Sequence, residues 1–439
     1  MKFTRQQLGG IVGPDLRAAF FKAFVDPTVV NLSTAENILL LDFYNEKAFA
    51  DLGPVAVENI RYPLPTVYGR SNYLESLQTF LNQQWNVSVS SDDIFCASGV
   101  VAGLELLALA LFKPGDEVLI PAPLWYGFHW SFSQTAGMKF VPFPIDNATT
   151  LTVANVESAL QKNPNAKLLV LTNPNNPLGV NYSKELQEQI YSLFLENPDR
   201  HIISDEIYAL SQVKNKDAFV SALRLDAYQK YSDRIHVTWG LSKDFGLAGF
   251  RAGLIITKSA TVQTALKDEA CAASLCWFSP MVTTNYYMLQ KLFLNAAGYP
   301  DPQLASEAMV LYKGLLEKQF SETEAHLKKG NLQYFPGNDG ALFFWLDLRP
   351  YLDRVPKSVS DQPPLCAEIY THDDPREERL ANYISQSVEG RVGVLLTRGQ
   401  ECFNEDPGFF RLCYTAEKLD RVKLGIDNMA QALAELPPT

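Results

Sequence analysis

Lys243 and Arg251 stand eight positions apart in TWGLSKDFGLAGFRAG, residues 238–253. A lysine amine that sheds its charge on burial forms a Schiff base with a carbonyl, and the fixed fork of an arginine suits a phosphate. The spacing can place both groups on one small molecule. A Ser-Lys followed by a later Arg is also common on protein surfaces, so the pair needs support from elsewhere in the chain.

That support lies upstream. LTNPNNPLG, residues 171–179, leaves an apolar run and stacks Asn-Pro turns, which fix the backbone so that an amide, that of Asn176, can point into a site. HIISDEIYAL then ends a hydrophobic run with Asp205, followed by Tyr208. A carboxylate at the end of such a strand is rarely there for packing. Taken singly, Asn176 reads equally well as a plain turn and Asp205 as a helix cap. In order, and followed by SKDFGLAGFR, they point to a pyridoxal phosphate site.

The elements that must position these residues alternate. DEVLIPAP, KFVPFPI, KLLVLTN, HIISDE, RIHVTW and AGLIIT read as buried strands, separated by helix-like pieces such as AGLELLALALF and SKELQEQIYSLFL. Such alternation requires crossover connections and a mainly parallel sheet covered on both faces, with ligands at the carboxyl ends of the strands. After Ala260 the pattern is helical to about Lys329, broken at residues 298–300. Short strands return in ALFFWLDLR, GVLLTRG and FFRLCYT, with a proline-bearing insert near residues 356–364. The expected organisation is an α/β chain: an N-terminal segment (1–68) contributing to a small domain, a large domain (69–329), and a C-terminal α+β small domain (330–439).

Composition narrows the function classes. The chain has 439 residues, 47% hydrophobic and 20% charged, as in a soluble enzyme. A net charge of -11 and the absence of a basic run speak against nucleic acid. The N-terminus lacks the apolar core of a signal peptide, and the longest apolar run, residues 104–112, is too short to span a bilayer and contains Glu105. A cytoplasmic location is expected, with no membrane partner. Six scattered cysteines and five histidines show no metal-ligand spacing, so no metal is expected.

The ordered set NPxNPxG, DEIY and SKDxGLxGFR resembles the fold-type I pyridoxal phosphate (PLP) enzymes, the class I and II aminotransferase superfamily, over nearly the whole chain. Within it, NLSTAENILL, KPGDEVLIPAPLWYGF, SKDFGLAGFRAG, ALFFWLDLR and EDPGFFRLCYT are most similar to the aminocyclopropane-carboxylate synthase branch. The resemblance implies a large domain with a mainly parallel, about seven-stranded sheet sandwiched by helices, and a role for each matching residue. Lys243 would hold the cofactor and act as base at the substrate α-carbon. Asp205 would face the pyridine nitrogen, Asn176 and Tyr208 the ring oxygen, and Trp125 would stack on the ring. Arg251, Ser242 and the turn of Ser98, Gly99, Val100 and Val101 would cradle the phosphate. Tyr68 would reach the phosphate from a partner subunit, implying a homodimer. Arg411 would clamp the substrate carboxylate, and Glu36, in STAEN, would favour a cationic sulfonium.

The chain also departs from the family pattern. Gly240 stands three positions before the lysine where a hydroxyl is usual, Val100 or Val101 replaces a threonine or serine at the helix start, and Thr397, Arg398 and Gly399 replace a Pro-Gly pair. Arg398 would add a cation near the substrate mouth, suited to an anionic partner, or be a solvated loop residue. Two activities stay open: a lyase or synthase acting on S-adenosylmethionine or another amino acid with a γ-leaving group, and an aminotransferase. A synthase that captures its intermediate with a second substrate, and a non-catalytic PLP-fold regulator, are further alternatives.

Overall fold

The computed structural model describes residues 28–51, 53, 69–267, 283–361 and 374–438. Among these residues the strands are β1 (Val29–Asn31), β2 (Ile94–Ala97), β3 (Glu117–Ala122), β4 (Lys139–Pro144), β5 (Ala166–Thr172), β6 (His201–Asp205), β7 (Ile235–Gly240), β8 (Gly253–Ile256), β9 (Phe343–Asp347), β10 (Gly393–Leu395), β11 (Thr397–Arg398) and β12 (Phe409–Cys413). Six helices matter below: α1 (Ser71–Trp85), α2 (Val100–Leu111), α3 (Lys184–Leu195), α4 (Gln303–Lys329), α5 (Pro375–Ser385) and α6 (Leu419–Ala434).

Seven strands form the central sheet in the order β2-β8-β7-β6-β5-β3-β4. All its pairings are parallel except those of β8, which runs antiparallel to both β2 and β7. The apolar strands of the sequence belong here because both faces are covered. In β5, Leu168 and Val170 enter one buried cluster while Leu169 and Leu171 enter the other, the two-residue period of a strand with no solvent face. On one face α1 lays Phe80 against Trp239 of β7 and against Phe245, with ring centroids 6.0 and 5.7 Å apart. That packing backs the turn that carries Lys243.

A second, antiparallel sheet has the order β11-β12-β9, and β1 pairs in parallel with β10. The N-terminal strand is thus held by C-terminal chain, and α6 packs so closely on β1 that a Cβ at Gly425 would lie 3.0 Å from Val30. From β1 the chain runs directly into residues 33–37, which border the site.

Candidate active site

The carboxyl ends of β5, β6 and β7 lie side by side, Thr172 opposite Asp205 and Asp205 opposite Thr238. Asp205 is buried and accepts a hydrogen bond from Thr238 Oγ1 at 3.3 Å. Burial pushes its carboxyl up to about 7, against the pull of Thr238, the Ile207 amide and Lys243. An acid held by neutral donors in this way favours a cation placed against it. Asp205 lines a cleft shared with Asn176, Tyr208, Ser242, Lys243 and Arg251.

The loop after β5 aims one asparagine by satisfying the others locally. Asn173 accepts from the Tyr182 amide at 2.9 Å, and Asn175 accepts from the Leu178 amide at 3.0 Å. Asn176 is left to face the cleft. Its amide donates to the Tyr208 hydroxyl at 3.4 Å, and its carbonyl accepts from Arg411 Nη1 at 2.8 Å. Burial raises the Tyr208 phenol, so it stays a neutral donor.

Arg411 comes from the middle of β12. Its second amine donates to the Ser33 carbonyl at 2.7 Å and to Thr397 Oγ1 at 3.0 Å, and its guanidinium lies 4.6 Å from the Phe343 ring centre. Arg411 Nε is buried with no partner among the described residues.

Lys243 sits in the turn between β7 and β8. Its amine donates to the Ala35 carbonyl at 2.5 Å, and its own carbonyl accepts from Asn37 Nδ2 at 2.7 Å. Burial lowers its pKa, while the Glu36 carboxylate works in the opposite direction. The Glu36 carbonyl accepts from Thr415 Oγ1 at 2.6 Å, which fixes the backbone of residues 33–37 beside the amine.

At the other end of the cleft α2 begins at Gly99, whose φ of +87° lies in the left-handed region. Arg251, itself at φ +50°, reaches back to the Ser98 carbonyl at 3.4 Å and the Ala248 carbonyl at 3.0 Å. A Cβ on Gly99 would stand 2.4 Å from Arg251 Nη2, and one on Gly253 would stand 2.4 Å from the Gly99 carbonyl carbon. The unbonded amides of the first helical turn and the guanidinium therefore converge on one small space, which fits an anion. Gly240 is there for room: a Cβ would meet the Ala252 oxygen at 2.7 Å and Val100 Cγ2 at 3.3 Å. Ser242 is the buried hydroxyl of the cleft next to the lysine.

Trp125 lines the cleft, its ring edge-on to Phe128 at 5.4 Å and folded over Gly127, where a Cβ would lie 2.1 Å away. Arg398 requires a correction. It is 2% exposed, and its guanidinium is bound by Glu378 and, at 2.9 Å, by Glu401. With both carboxylates in place it is neither a free cation at the mouth nor a solvated loop residue. Tyr68 lies outside the described residues.

Sequence reasoning missed Thr172, Thr238, Asn37, Thr397 and Asp244. The two threonines carry a weak signal, being polar ends of apolar strands next to Asp205. Asn37 adjoins Glu36 in STAEN, and Asp244 directly follows the lysine. Thr397 was visible only as part of the segment that replaces a Pro-Gly pair, and the β11-β12 register is what brings it to Arg411.

The sequence pattern of the family described as Aminotransferase class I and II matches residues 59–423. The chain belongs to this family. It is 28% identical over 428 residues to a Claviceps purpurea protein named probable aminotransferase, covering 94% of this chain and 91% of that one. It is 28% identical over 421 residues to the Homo sapiens protein named probable inactive 1-aminocyclopropane-1-carboxylate synthase-like protein 2, covering 92% and 67%. Its fold matches the aspartate aminotransferase of Rhizobium meliloti with a TM-score of 0.72 at 19% identity, over 100% of both chains. This member of the class I and II aminotransferase family is a PLP-dependent enzyme of fold type I, similar to the aminocyclopropane-carboxylate synthase-like proteins.

The residues present fit that cofactor. A buried acid awaits a cationic ring nitrogen, a lysine of lowered pKa supplies the amine, and a glycine-lined helix start with an arginine suits the phosphate. Among the described residues no cluster of His, Cys, Asp or Glu could hold a metal ion, and no helix is long and apolar enough to cross a membrane.

Proposed function

We propose that this enzyme removes the α-proton of an L-amino acid with Lys243 while Arg411 holds the carboxylate, and that a leaving group then departs from the γ-carbon. The observation that carries the reading is that Asn176, which lines the cleft together with Lys243, fixes Nη1 of Arg411, whose buried Nε is free for a carboxylate. When bound, the cofactor supplies a sink for the electron pair released at the α-carbon. Asp205 would face the ring nitrogen, Asn176 and Tyr208 would donate toward the ring oxygen, and Trp125 would cover one ring face. Ser98, Gly99, Val100, Val101, Ser242 and Arg251 would hold the phosphate. Lys243, with its proton affinity lowered by burial, takes the proton as a general base. Fixing the carboxylate keeps the bond to be broken within reach of that amine.

The Glu36 charge, close enough to act on Lys243, supports a substrate with a cationic leaving group, and S-adenosylmethionine is the leading candidate. Aminotransfer is the second reading, favoured by the name of the Claviceps relative that aligns with 94% of the chain. A homodimer with Tyr68 contributed across the interface, working in the cytoplasm, completes the proposal. Incubation with S-adenosylmethionine, assayed for methylthioadenosine, is compared with incubation of amino donors and 2-oxo acids, assayed for exchange. Methylthioadenosine release supports the first reading; brisk exchange without any sulfur product rejects it in favour of the second.

A further inference from the structure

The residue after Lys243 is a buried carboxylate bound only by neutral donors. Asp244 has no exposed surface. Its Oδ2 accepts from the Trp239 indole at 2.9 Å and from the Leu210 amide at 3.1 Å, and its Oδ1 accepts from the Ser211 hydroxyl at 2.6 Å. Ser211 in turn lies 2.7 Å from the hydroxyl of Tyr312, in the middle of α4. Burying a carboxylate without a hydrogen-bonded cation is costly, and burial pushes its pKa up to about 7, against its three donors and the charge of Lys313.

The partners explain it. Trp239 lies on β7, directly before the lysine turn, whereas Leu210 and Ser211 follow Tyr208 within the turn that leaves β6. We infer that Asp244 is a positioning residue that locks the Lys243 turn to the segment bearing Asp205 and Tyr208. Asn37 also holds the Lys243 carbonyl and, at 3.5 Å, that of Asp244. The backbone of the lysine turn is thus held both by Asn37 and by the side chain that follows the lysine, while the lysine side chain lines the cleft. Acting through geometry, the carboxylate can be replaced by an amide: an Asn carbonyl accepts both N–H groups, and its NH₂ donates to Ser211, whose proton turns to Tyr312. Alanine leaves the indole and the Leu210 amide unpaired and the turn free to shift.

The inference rests on Lys243 as the reactive amine, and the test separates the two. Wild type, Asp244→Asn, Asp244→Ala and Ser211→Ala are prepared as holoenzymes, and the visible absorbance of the lysine-bound cofactor is titrated between about pH 6 and pH 10. Melting temperatures are read in parallel. Asp244→Ala is expected to move the midpoint by about one pH unit. Asp244→Asn should return it to within about a third of a unit, and Ser211→Ala, the variant to use if Asp244→Ala does not fold, should move it part of the way. An unmoved midpoint in Asp244→Ala, or in Ser211→Ala if only that variant folds, makes the role merely structural and overturns the inference. So does an Asn variant as displaced as the Ala variant, because the charge would then matter and the lock would not. A wild-type protein with no lysine-bound band refutes the functional reading itself, and the positioning role with it.

Discussion

Asp205 carries the clearest electrostatic consequence of the site. Its carboxyl is pushed from 3.8 up to about 7, chiefly by burial. In the cofactor-free protein, the folded state therefore holds a proton between about pH 4 and pH 7 that the unfolded chain has lost. The resulting stability is fully present below pH 4 and disappears as pH rises through 7. Melting of the cofactor-free protein at pH 5, 6, 7 and 8 should show a falling trend that Asp205→Asn makes shallower; an unchanged slope would remove Asp205 as a titrating group. Arg411 tests the proposed hold on the substrate carboxylate. Arg411→Lys keeps the charge and loses the planar fork held by Asn176 and Thr397, so KM should rise at least about tenfold with a smaller effect on kcat. A kcat-only effect would remove the carboxylate role. Asp205, at the end of an apolar strand, and Lys243, in order after the Asn-Pro turns, were legible in the sequence, whereas Arg411, in the middle of β12, was named only through the family resemblance. Arg398 was misread: Glu401 stands only three positions on, but the second carboxylate, Glu378, comes from α5, and only the fold shows that both close on the cation.

Among the elements, the start of α2 is the most exacting. Gly99, Gly240 and Gly253, from three separate segments, let the helix end descend onto β7 and β8 until a Cβ on Gly253 would strike the backbone. Gly99→Ala meets both a left-handed φ and the Arg251 guanidinium, so the arginine must leave its place. Cofactor affinity, measured by titration of the apoprotein, should fall at least about tenfold while the fold persists; unchanged affinity would separate Arg251 from the phosphate. Strand and helix alternation was readable from apolar runs and their period. The reversed direction of β8, the position of β2 at the sheet edge and the β11-β12 register were not. They depend on which distant segments hydrogen-bond, and local pattern does not encode that. The missing hydroxyl at Gly240 was visible as a departure, but its cause, the Ala252 oxygen at 2.7 Å from a Cβ, exists only in three dimensions.

Across the whole molecule, distant parts of the chain meet around the cleft. Residues 33–37, led in by β1, are bound by Lys243, in the turn after β7 of the central sheet, and by Arg411, on β12 of the second sheet. Behind Arg411, α5 supplies Glu377 and Glu378. Glu377 accepts from the Gln400 amide at 3.0 Å and from the Gly408 amide, and Glu378 binds Arg398. Removing the cation from this buried group should cost about 3 kcal/mol or more. The loss in Arg398→Met should be larger at pH 8 than at pH 6, because Glu378, pushed up to about 7, can take a proton below that value. Thermal melting at the two pH values checks this, and an equal loss at both would show that the carboxylates do not titrate. The proposed function rests on one covalent bond, between Lys243 and the cofactor. Borohydride reduction of the holoenzyme followed by peptide mapping tests it most directly: a single reduced pyridoxyl adduct on Lys243, absent in Lys243→Ala, is the expected result, and an adduct on any other residue, or none, would contradict it.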